Sequence, residues 1–357
     1  MSRSVGFERS RARVVRVCDS AGDADSVTLR ERVLDQIRRI VAFDWHVWLL
    51  TDPETTVGAA PLAEIPPGLL SSLPRLVRLK YMTEVNRWTT LMSPAASLSE
   101  ATGGQLSRSL VWNELLADHG VGDVASVVFA DRFGCWGFLD LWRMGTEAPF
   151  TPDDVTFLAS ITGHVTAAVR RCQAATFASA RPNDPDPPGP LLLLLSPDLD
   201  VLGQTPQTHE YLRTLVPPPD GQAPIPAGAY NVAAQLLAVE SHVDPHPPST
   251  RVHLSAGVWL TLRAARVGRV HGPGRHDIAV TIERATPDER ASVFGRAHGF
   301  STRERELLQH LMAGGDTSQV ARDMHLSEHT VQDHLKSIFA KTSVHSRRTL
   351  LTRVLGT

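Results

Sequence analysis

The residues best placed to do chemistry lie near the end of the chain. Between Glu328 and Thr342, at about 100° per residue, Val331, Leu335, Ile338 and Phe339 share one face, which must be the buried one. His329, Asp333, Lys336, Ser337 and Ala340 share the opposite face. Hydrogen-bonding side chains of modest length, beside an alanine that permits close approach, are what a helix needs to enter a major groove and touch base edges. Lys341, Arg347 and Arg348 lie just beyond, where cations hold phosphates. The bland reading of the same stripe is a solvated helix face. The weakly basic balance of this segment does not separate the two.

No catalytic constellation competes with that helix. The chain contains no G-x-S-x-G, no G-x-x-x-x-G-K-[ST], no H-E-x-x-H and no glycine-rich fingerprint after a strand, so no enzyme and no cofactor is expected. His325, His329 and His334 lack metal spacing within one helix, and no metal site is expected either. The three cysteines, Cys18, Cys135 and Cys172, are odd in number and far apart, which fits neither a disulfide framework nor a zinc site and suggests a reducing compartment. Cys135 reads as an inert thiol, having no basic neighbour in sequence. A second candidate site is aromatic. Trp88, Trp112, Phe129, Trp136 and Phe138 are candidates to line a pocket for a small, mostly apolar ligand. Their competing reading is plain core packing.

These residues must be positioned by more than one folding unit. A chain of 357 residues predicts two or three domains. Its 42% hydrophobic and 21% charged composition, with net charge −2, is that of a globular protein, neither a polycation nor an acidic tail. The arginine-studded start, Met1 to Arg16, has no apolar signal region, and the longest aliphatic run, Leu191 to Leu195, is far short of the roughly 20 residues a bilayer span needs. A cytoplasmic protein with no membrane partner is expected. Proline marks the boundaries. The densest cluster, Arg181 to Pro190, predicts a linker, and further clusters at Pro217 to Pro219, Pro224 to Pro226 and Pro245 to Pro248 predict loops. No internal repeat of fixed period is visible.

Before the linker, Val27 to Ala42 has the spacing of a helix. Trp45 to Leu50 predicts a strand, and Val124 to Ala130 with Trp136 to Trp142 predict a hairpin around Asp131 to Gly134. Val155 to Val169 returns to helical spacing, with Thr151 as cap and Pro152 at the first helical position. After the linker, Leu191 to Leu195 and Asp277 to Glu283 predict strands, Val252 to Ser255 with Val258 to Val267 a hairpin, and Tyr230 to Glu240 a helix. The expected class is multidomain α+β with an all-α end.

That end has four helix starts. Ser301-x-x-Glu304 is a capping box, Asp316-x-x-Gln319 repeats the pattern, and Ser327 and Ser346 are placed as further caps. The predicted helices are Thr302 to Met312, Thr317 to Met324, Glu328 to Thr342 and Arg347 to Leu355. The second and third, joined only through His325 and Leu326, must cross steeply as a helix-turn-helix.

Phe300-Ser-Thr-Arg-Glu-Arg-Glu-Leu-Leu308, Gln319-Val-Ala321, Leu326-Ser-Glu-His-Thr-Val331, His334-Leu335, Ile338 and Lys341, with Val344 and Arg347, resemble the LuxR-type (NarL/FixJ-like) four-helix DNA-binding domain over about the last sixty residues. The resemblance implies double-stranded DNA as partner, read by Ser327, Thr330, Gln332, Lys336 and their neighbours. Gln332 stands where the family often has lysine, and glutamine favours adenine. It also implies a homodimer formed through the last helix, with Leu350, Leu351, Val354 and Leu355 as the pairing stripe. Upstream, Ser126 to Trp142 and the helix start at Phe150 to Val155 resemble the strand, turn, strand and last helix of GAF sensor domains, and 191–287 resembles a PAS-type module. The expected organisation is an N-terminal arm (1–25), a GAF-like domain (26–176), a linker (177–190), a PAS-like module (191–287) and the helix-turn-helix domain (288–357). Together these imply a one-component transcription regulator sensing a small molecule, or alternatively one controlled by a partner protein.

Overall fold

The computed structural model describes residues 2–20, 25–145, 148–178, 191–215, 226–255, 257–268 and 276–356. Most of the predicted proline linker, 179–190, and the Pro217 to Pro219 loop lie outside these residues.

The first 25 residues, expected as an arm, contain a helix, α1 (Ser2–Asp19). Phe7, Val14 and Cys18 form an apolar stripe too narrow to read among the arginines. Val14 and Cys18 are buried, and Phe7 packs edge-on to Phe157 at 5.3 Å. Then come α2 (Ser26–Arg38), capped by Asp25, β1 (Trp45–Thr51) and β2 (Gly58–Glu64). Next are α3 (Leu73–Met82), β3 (Ala95–Ser97), α4 (Leu98–Thr102), β4 (Val121–Asp131) and β5 (Gly134–Met144). The predicted capping box at Thr151 opens α5 (Pro152–Ala175), with Asp154 closing it.

The middle region holds β6 (Leu191–Leu195), β7 (Val201–Gln204), α6 (Pro206–Leu215) and α7 (Ala227–Glu240). It ends in β8 (Ser249–Ser255), β9 (Val258–Val267) and β10 (Asp277–Arg284). Among the described residues the strands form two five-stranded antiparallel sheets, ordered β2-β1-β5-β4-β3 and β7-β6-β10-β9-β8. Numbered within each sheet, the two orders are the same. The architecture therefore repeats where the sequence shows no repeat.

The first sheet is covered on both faces. Trp48, Phe129, Trp136 and Leu139 pack toward α1, α2 and α5, while Leu49 and Phe138 face the other way. Two-sided burial explains why β5 is buried almost continuously instead of alternating. α7 closes the second face together with α3. It is buried all round, with Ala229, Ala233 and Ala234 fully enclosed, as a helix held between two layers must be. Its other side lies on the second sheet, so one core runs from Phe138 through α7 to Leu260 and Ile278.

Buried ion pairs fasten this seam. Arg87, 1% exposed, meets Asp244 at 3.0 Å and donates to Gln235 at 3.2 Å. Arg251 holds Asp52 through two contacts of 2.6 Å.

The chain ends in α8 (Pro287–Ala297), α9 (Thr302–Met312), α10 (Thr317–Asp323), α11 (Glu328–Thr342) and α12 (Arg347–Leu355). The four predicted helices correspond to α9 through α12. α8 precedes them, and Gly299, at φ +69°, supplies the left-handed turn between α8 and α9. The mixed α+β body with an all-α end is the expected class.

Candidate nucleic-acid interface and interior cavity

The helix-turn-helix is built from capping. Ser301 and Glu304 close the box on α9, the Asp316 carboxylate accepts from Gln319 N–H, and Ser327 Oγ accepts from Thr330 N–H at 3.1 Å. α11 buries Val331, Leu335 and Ile338 against Leu307, Leu308 and Val320. That burial leaves Ser327, His329, Gln332, Asp333 and Lys336 exposed on the outside, and Thr330 half-buried. Asp333 lies 3.1 Å from Lys336 and 3.5 Å from His329, and its carboxyl is held below the usual range, chiefly by the Lys336 hydrogen bond. Such exposed pairs contribute little and exchange readily for another anion or base edge.

The other candidates on this helix have structural partners. Ser337 Oγ and Lys341 Nζ both donate to Glu304, each at 2.6 Å. Burial alone would push the Glu304 carboxyl up, but the Lys341 and Ser337 hydrogen bonds hold it at about 2. Lys341 thus ties α11 to α9. Arg347 donates to the Gly315 carbonyl at 2.6 Å and fixes the turn before α10, while Arg348 is exposed.

The expected pairing stripe divides. Leu350 and Val354 are fully buried in this chain's own core, whereas Leu351 and Leu355 are half-buried. The reason is α8, which lies against α12. Its Arg290, 5% exposed, donates to the Val354 carbonyl at 2.7 Å and to the Gly257 carbonyl of the second sheet, with its guanidinium 4.9 Å from the Phe177 ring. Phe177 stacks on Trp259 at 4.9 Å. Arg296 of α8 donates to the Phe133 carbonyl in the β4–β5 turn at 2.9 Å. One helix therefore touches the DNA-binding candidate and both sheets.

The aromatic candidates also divide, because successive strand residues face opposite ways. Phe129 stacks on Trp48 at 4.8 Å, and Trp136 donates its indole N–H to Asp131 at 3.0 Å; both belong to the closed core beneath α5. Phe138 faces the other side and lines a cavity of about 390 Å³. Trp88 stacks behind it at 4.4 Å, and Trp112 donates to the Val121 carbonyl at 2.8 Å. Neither of these two is on the cavity wall.

Sequence reasoning missed the polar part of that wall. Asp140 and Trp142 follow Phe138 at period two, and Ser126 lies opposite Asp140 in β4. Lys80 of α3 meets Asp140 at 2.6 Å, and Ser126 donates to Asp140 at 2.7 Å. An aspartate alternating between two aromatics in an apolar strand was the available signal. Among the described residues no group of histidine, cysteine or acidic side chains is arranged to hold a metal ion, and no helix is long and apolar enough to cross a membrane.

Residues 298–354 match the family described as bacterial regulatory proteins, luxR family, and the C-terminal helices are a LuxR-type helix-turn-helix domain. That family is one of transcriptional regulators. Over 129 residues the chain is 36% identical to the probable HTH-type transcriptional regulator GfsR of Streptomyces halstedii, a match taking in 34% of this chain and 52% of that protein. The chain thus spans about half the length of that curated relative. SdiA of Escherichia coli aligns over 98% of this chain and 97% of its own, at 12% identity and a TM-score of 0.37, a likeness too low to carry an argument.

Proposed function

We propose that the chain is a one-component transcription regulator that binds double-stranded DNA through the outer face of α11, works as a homodimer in the cytoplasm, and answers to a small, mostly apolar ligand. The observation that carries this reading is the LuxR-type domain, whose α11 presents His329, Gln332 and Lys336 to solvent over a fully buried opposite face. We take 26–176, 191–287 and 288–357 as the working units. The cavity beside Phe138 supports the ligand assignment. Leu351 and Leu355 are the part of the last helix available for pairing, since Leu350 and Val354 are committed to the domain's own core. A ligand acts by binding one arrangement of the units better than another. α8 is the element both sheets grip, and it carries that preference to the helix-turn-helix.

The test compares a duplex selected from random sequence with an unselected duplex, by fluorescence anisotropy. Lys336→Ala is expected to weaken the selected duplex by about 1–3 kcal/mol and the unselected one less. Equal losses on both would reduce Lys336 to a phosphate contact. If the chain fails to bind either duplex, the proposal falls.

A further inference from the structure

The cavity assigned above to a ligand is mostly apolar, walled by residues such as Val47, Leu76, Val111 and Val124, but its polar groups are unequally satisfied. Asp140 has both carboxylate oxygens engaged, one by Lys80 and one by Ser126. The single charged pair on this wall is therefore internally neutral, and an ionic ligand would have to break it at a desolvation cost. Two donors on the wall are left over. The Trp142 indole N–H and the Asn86 amide N–H are buried and have no hydrogen-bond partner. A buried donor without an acceptor is costly, and an acceptor brought by a ligand relieves it. A second feature concerns which elements form the wall. Ala227 and Asn231, both buried, belong to α7, so the helix that closes this cavity is the one packed on the second sheet.

We propose that this cavity binds a neutral, predominantly apolar molecule bearing a carbonyl group, which accepts from Trp142 and Asn86, and that α7 makes it a site shared by the two sheets. The assignment rests on the reading of the cavity as a ligand site. Occupancy presses on α7 from the first sheet and is felt by the second, which is a physical route from ligand to α8.

Two fluorophores test this on the full chain. Prodan is a neutral naphthalene carrying a ketone, and its emission moves to the red when that ketone accepts a hydrogen bond; dimethylaminonaphthalene lacks the ketone. Trp142→Phe is expected to weaken prodan about tenfold, the size of one buried hydrogen bond, to shift its bound emission to the blue, and to change dimethylaminonaphthalene binding little. Asn86→Gly, which keeps the left-handed backbone found at φ +50°, should act in the same direction and serves if the tryptophan variant does not fold. Ala227→Phe should exclude both probes. Failure of prodan to bind the full chain, or equal losses of both probes in the donor variants, overturns the carbonyl assignment, and unchanged binding in Ala227→Phe overturns the shared wall. Binding of an unselected DNA duplex is measured on the same samples. Duplex binding without prodan binding sinks this inference and leaves the DNA-binding reading standing, and the reverse result does the opposite.

Discussion

The two sheets share a strand order yet solve different problems. The first is enclosed by α1, α2 and α5 on one face and by α3 and α7 on the other, and it keeps its empty space on the α7 side, where a charged pair and two unsatisfied donors also sit. The second is packed tightly by the alanines of α7, and it leaves Leu192, Val201 and Leu202 exposed near its β7 edge. Close approach of small side chains fills the space that the larger, unevenly matched side chains of the first sheet leave open. One topology thus gives a hollow unit and a solid one, and the difference lies in the residues that α7 and α3 present, not in the order of the strands.

The largest test of this contrast is the seam that holds the two units together. Arg87→Leu strands the Asp244 carboxylate, and removing one partner of a buried pair costs about 3–5 kcal/mol. Burial raises Asp244, but hydrogen bonds from His246, Thr89 and Gln235 hold its carboxyl well below the usual range. Urea unfolding should show the loss, and adding Asp244→Leu should recover part of it. If the single variant is as stable as the parent, the pair does not fasten the seam.

Within the first sheet, Phe129→Ala is expected near the top of the roughly 3–5 kcal/mol range for such truncations, because its surroundings are closed. Phe138→Ala should fall below that range, since its wall already faces empty space. Equal losses would mean the cavity collapses in solution. In the solid unit, Ala233→Leu on α7 should overpack and cost about 1–3 kcal/mol, read from the thermal midpoint.

The smallest expected effect concerns two histidines beside α8. Burial lowers both His253 and His298 to about 4, the nearby Arg290 adding to the fall for His253. Between about 4 and the ordinary value near 6.5 the unfolded chain binds more protons than the folded one. Stability is therefore full at neutral pH and declines as pH falls through that window. About 1 kcal/mol should be lost by about pH 5, after discounting for partial exposure. His298→Gln should flatten the profile of melting temperature against pH. A variant with the parent's slope would assign the effect elsewhere.

Legibility in sequence followed the range of the interactions. The helix-turn-helix was readable almost to the residue, because its caps act over three positions and its faces repeat every 3.6 residues. The β4–β5 hairpin and the opening of α5 were legible for the same local reason. α1 was not, because its narrow apolar stripe acquires meaning only against α5. Nor were α8 and its hold on α12, which is why Leu350 and Val354 read as surface for a second copy and turned out to be core.

The sequence by itself determined the α+β class, the placement of most strands and the outward face of α11, all of which follow from backbone periodicity and capping. Only the tertiary structure decided which face of the first sheet is hollow. Phe129 and Phe138 are nine residues apart on paired strands, and nothing local distinguishes them. The side on which α7 arrives is set by contacts such as Arg87 with Asp244, more than 150 residues apart in the chain, and packing at that range leaves no periodic trace.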